Sequence, residues 1–87
     1  MDDAKVEEVK ASGKPLEDCL DDLILEEKSK PHPNPLNVMW VLIRAWGVDL
    51  RVAKLLTGIR CSELDQGQPK DPERIRTLRH ELQSPLG

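Results

Sequence analysis

The chain has 87 residues, enough for one small domain with a single core. Apolar residues make up 38% and charged residues 33%, the formal net charge is -3, and there is no Phe or Tyr, so Trp40 and Trp46 are the only aromatic side chains. The shortage of aromatic and β-branched residues argues against a β-sandwich or barrel, two cysteines do not make a disulfide scaffold, and no apolar run approaches the ~20 residues of a membrane span. The expectation is an all-α protein, a small bundle of four to five short helices with a flexible acidic N-terminus. The acidic start Met1-Asp2-Asp3 lacks the basic region of a signal peptide. With free cysteines, this points to an intracellular, reducing compartment, cytoplasm or nucleus.

Residues 1–15 are polar at first and poor in apolar side chains, and are expected to form a disordered tail. From 16 to 30 the pattern changes. Leu16, Cys19, Leu20, Leu23 and Ile24 fall at helical spacing on one face, opposite Glu17, Asp18, Asp21 and Asp22, so an acidic amphipathic helix is expected. Leu25 lies off the apolar face. Residues 1–30 hold ten acids against five lysines, whereas 31–87 hold six acids against eight Lys and Arg. The boundary is a proline-rich linker, 31–35, which forbids helix.

Residues 36–83 are expected to form the helical core domain. Between Leu36 and Trp46 nearly every residue is apolar, with Asn37 and Arg44 on one line, which predicts a central helix or one covered by a partner. Gly47 is placed to end it. Asp49 is a cap for the next helix and Gly58 a stop, with a short turn or helix at 62–66 after it. Asp71-Pro72 is a start signal for a last helix whose apolar seam is Ile75, Leu78 and Leu82. Residues 84–87 are expected to fray.

No catalytic constellation emerges, and the expectation is a non-enzymatic protein with no cofactor and no small-molecule substrate. Cys19, Cys61, His32 and His80 match no metal-ligand spacing. The scattered glycines form no phosphate loop, and the carboxylate pairs Asp21/Asp22 and Glu26/Glu27 read as a solvated helix face.

Three short stretches resemble known motifs. Thr57-Gly58-Ile59-Arg60-Cys61-Ser62-Glu63-Leu64 resembles the arginine-bearing segment of tyrosine recombinases, but a chain without tyrosine lacks the nucleophile of that reaction. Val52 to Ile59 is similar to the first helix and turn of a DNA-binding helix-turn-helix, with one residue more between Ala53 and Gly58 than usual. That resemblance implies nucleic-acid contacts by Arg51, Lys54, Arg60, Lys70, Arg74, Arg76 and Arg79. Leu16, Leu20, Leu23 and Leu25 resemble a leucine-rich nuclear export signal, a pattern that any amphipathic helix produces.

The leading functional expectation is therefore a helical interaction or regulatory module that binds another protein or a second copy of itself, with no membrane partner. Its anchors would be Trp40, Val41, Ile43 and Trp46, together with Leu16, Leu20, Leu23 and Ile24 if the acidic helix docks in a groove. A helix-turn-helix-like DNA-binding regulator using 49–83 is the alternative, and a structural assembly subunit is the third reading.

Overall fold

In the computed structural model, which describes residues 3–83, five α-helices form a single-core bundle. They are α1 (Asp3–Ser12), α2 (Leu16–Lys28), α3 (Pro35–Trp46), α4 (Leu50–Asp65) and α5 (Pro72–Leu82). Residues 84–87, where fraying is expected, lie outside the described residues.

The ends follow from local chemistry. Asn34 opens α3 by accepting the Leu36 N–H at 3.0 Å, ahead of Pro35 in the first turn. Asp49 accepts from the Arg51 N–H at 2.7 Å, and Asp71 from the Arg74 N–H at 3.2 Å. Gly47 closes α3 in the left-handed region at φ 66°, returning its N–H to the Ile43 carbonyl.

The middle of the bundle is α3, which packs against α1, α2 and α4, while α5 closes the other side against α2 and α4. Leu16, Leu20, Ile24, Leu42, Leu56 and Ile75 are fully buried at its heart. Leu25 is exposed, as its position off the apolar face of α2 requires. Among the described residues no helix is long and apolar enough to cross a membrane.

Two sequence expectations are corrected here. The N-terminal tail is not disordered over 3–12: it forms α1, with Val6 and Val9 buried and Lys5 bonded to Glu26 at 2.6 Å. Two valines at i, i+3 are a weak local signal; burial against α3 supplies what helix propensity does not. Nor does Gly58 end a helix. It keeps a negative φ, and α4 runs on to Asp65 before Gly67 turns the chain at φ 82°. The extra turns are favoured because they carry Arg60 into the core, onto α2.

Candidate functional site

On α3, Val38, Met39, Val41 and Leu42 are buried. At 100° per residue the opposite side carries Leu36, Trp40, Ile43 and Arg44. Leu36 is 52% exposed, Arg44 is exposed, and Trp40 and Ile43 are half-buried. The Arg44 guanidinium lies over the Trp40 ring, 5.2 Å from its centroid. The Trp40 indole Nε1 is buried without a hydrogen-bond acceptor, a state that costs about 1–3 kcal/mol. Trp46 is half-buried, on the Met39 and Leu42 side of the helix. The expected α3 anchors thus divide: Trp40 and Ile43 border the outer surface, Trp46 leans toward the core, and Val41 is corrected to a core residue.

The α2 anchors are corrected as well. Leu16, Leu20, Leu23 and Ile24 are all buried in the protein's own core, so none is open to a groove or to an export receptor in this fold. An apolar helical stripe is satisfied by α3, α4 and α5 before any partner arrives.

The basic residues are largely engaged. Arg60 is 1% exposed and donates two hydrogen bonds at 2.9 Å to the Asp21 carboxylate. Lys70 pairs with Asp22, Arg74 with Glu63, Arg76 with Glu73 and Arg79 with Glu17. Arg51 reaches the Leu82 carbonyl, and Lys54 is exposed on α4. Continuous helix through Gly58 also removes the turn on which the helix-turn-helix resemblance depends, and Arg60 is corrected from a nucleic-acid contact to a core residue.

Two polar clusters were missed by sequence reading, which assigned their carboxylates to solvent. The first joins α2, α4 and α5. Besides Asp21, Arg60 donates to Glu63 at 2.6 Å and to the Pro69 carbonyl at 3.2 Å, while Arg74 closes on the other Glu63 oxygen at 2.9 Å. The bonds to Asp21 foremost, and those to Glu63, raise the Arg60 pKa against the effect of burial. For Glu63, burial opposes the charge, but the bonds from Arg60 and Arg74 outweigh it and lower its pKa.

The second cluster is centred on buried Glu27, which accepts from the Asn34 backbone N–H at 2.9 Å, Lys30 Nζ at 2.9 Å and Asn37 Nδ2 at 3.0 Å. Burial works against its charge, yet these donors, the Asn34 N–H first, hold its pKa below the ordinary carboxylate value. The proline segment is thereby pinned at the entry of α3. The signal was present in the sequence: Glu27 continues the spacing of Leu16, Leu20 and Leu23 and falls in the middle of their face.

A cavity of about 180 Å³ lies between Ile24, Pro33, Pro35, Val38, Thr57 and Cys61. Burial pushes the Cys19 thiol up and away from thiolate. Among the described residues no group of three or more His, Cys, Asp or Glu is placed to hold a metal ion. Both polar clusters are saturated carboxylate locks; they tie helices together and present no activated nucleophile.

Comparison with known proteins finds no family model that matches the chain, and no curated protein or solved structure similar to it.

Proposed function

We propose that the protein is a small non-enzymatic helical module that binds another protein through the outer face of α3. The observation that carries this reading is the row Leu36, Trp40 and Ile43, set on the outside of a helix whose other side is the centre of the core. Such a row is held rigidly, so its docking loses little conformational entropy. Trp is favoured at interface centres because it buries a large rigid area and keeps one donor. Swinging Arg44 off the ring uncovers the indole face, and Arg44 makes no ion pair among the described residues. The partner that fits is an amphipathic segment with an apolar row for Leu36, Trp40 and Ile43 and an acidic residue for Arg44.

The test places a photo-crosslinking residue at Leu36 or, as a control, at exposed Glu73 on α5. A discrete adduct from position 36 alone, lost when Trp40→Ala is added to a still-folded chain, supports the reading. Adducts formed equally from both positions, or unaffected by Trp40→Ala, overturn it.

A further inference from the structure

The outer face of α4 is a second, separate surface, and it is self-complementary. Lys54, Leu55, Gly58, Ile59, Ser62 and Glu63 line a shallow depression of about 550 Å³ on it. At its centre is Gly58, mid-helix and exposed. A Cβ added there would meet nothing within 4 Å, and the residue keeps an ordinary negative φ. Neither backbone conformation nor internal packing requires glycine at this position, although it costs the helix ~1 kcal/mol relative to alanine. What glycine does provide is close approach for another backbone.

Charge order points to the same conclusion. The face begins with Arg51 and Lys54 and ends with Glu63 and Asp65, the reverse of the order that suits a helix macrodipole. At the acidic end Asp65 takes Lys28 and Glu63 takes Arg60 and Arg74. Arg51 and Lys54, at the basic end, make no ion pair among the described residues. Asp65 stays 67% exposed and keeps acceptor capacity.

We propose that a second copy of this chain docks here, its α4 crossing antiparallel at Gly58 about a two-fold axis. In that arrangement a residue before Gly58 faces the one equally far after it. Arg51 then lies opposite Asp65 of the other copy, each about 10 Å from the crossing along the helix. Leu55 faces small Ser62 and its neighbour Cys61, and Lys54 faces Ser62 with Glu63 beside it. The contact is isologous, so each charge match and each large-to-small match occurs twice. It uses a different surface from the α3 row and does not depend on it.

Sedimentation equilibrium of the full chain over a wide concentration range tests this. The expected result is a rise toward twice the chain mass. Gly58→Leu should keep the protein at monomer mass with thermal stability unchanged or raised, because the position is open and leucine is the better helix former. Trp40→Ala should leave the dimer in place.

A charge exchange fixes the register. Arg51→Asp and Asp65→Arg should each weaken self-association roughly tenfold through two like-charge contacts. Mixing the two variants should restore a mixed dimer. A wild-type chain that stays monomeric, a Gly58→Leu dimer as tight as wild type, dimerisation lost with Trp40→Ala alone, or a mixture no tighter than its components would overturn the proposal.

Discussion

Asp21 and Arg60, 39 positions apart in the chain, meet in a two-bond ion pair at 2.9 Å, with both side chains 1% exposed. The pair ties the middle of α2 to the middle of α4, and through Glu63 and Arg74 it extends to α5. Two charges so deep in a small core gain little net stability from each other, because each has lost its water. Their weight lies in what happens when one is left alone.

Asp21→Ala should therefore destabilise the protein by about 3–5 kcal/mol, the range for stranding a buried charge. Replacing both residues with apolar ones, as in Asp21→Leu with Arg60→Met, should recover much of that loss. Urea unfolding of the two single variants and the double variant measures this. A double variant no more stable than Asp21→Ala would show that the pair contributes more than mutual neutralisation.

Acid should unfold the protein partly through Glu27 and Glu63. Both have pKa values lowered from the ordinary 4.5. Between the lowered and ordinary values the unfolded chain binds more protons than the folded one, so stability rises with pH there. The contribution is complete above about pH 4.5 and is lost as pH falls through the folded values. Glu27→Gln should lower stability at neutral pH and flatten the acid limb of the stability curve. A limb as steep as wild type would assign the acid sensitivity elsewhere.

Two glycines should respond in opposite directions. Gly47→Ala forces a side chain into the left-handed region at φ 66° and should cost ~1–2 kcal/mol. Gly58→Ala, at a helical position with open space around it, should raise monomer stability by up to ~1 kcal/mol. Thermal melts at low protein concentration compare them, and a loss at Gly58 would mean a packing role that its surroundings do not show.

The two tryptophans should also separate. Trp46 leans toward Met39 and Leu42, so Trp46→Ala should approach the ~3 kcal/mol lower bound for removing a buried tryptophan. Trp40 sits on the outer edge beneath Arg44, and Trp40→Ala should cost clearly less. Denaturant midpoints decide this; equal losses would place Trp40 in the core.

Much of the fold was legible because its signals are local. Asn34-Pro35, Asp49 and Asp71-Pro72 mark helix starts, and Gly47 a helix end, through bonds that reach only a few residues. The apolar spacing of Leu16 to Ile24 gave α2 its buried face for the same reason. By contrast, α1 has no strong pattern of its own and owes its place to the flank of α3 that it covers. Gly58 carries the same local signal as Gly47, and only the reach of Arg60 to Asp21 distinguishes them.

For the interaction surface the division is sharper. Sequence by itself determined that the chain is helical, that α3 is too apolar to stand alone in water, and that the residues of a catalytic or metal site do not fall at recognised spacings. Composition and periodicity act through local backbone preference and burial demand, and both can be read along one dimension. Tertiary structure alone decided which apolar and charged residues remain available. It buried Leu16, Leu20, Leu23, Ile24 and Val41, drew Arg60 into the core, and left Leu36, Trp40 and Ile43 at the edge of solvent. That choice depends on which helix covers which face, and a pattern along the chain cannot name its neighbour.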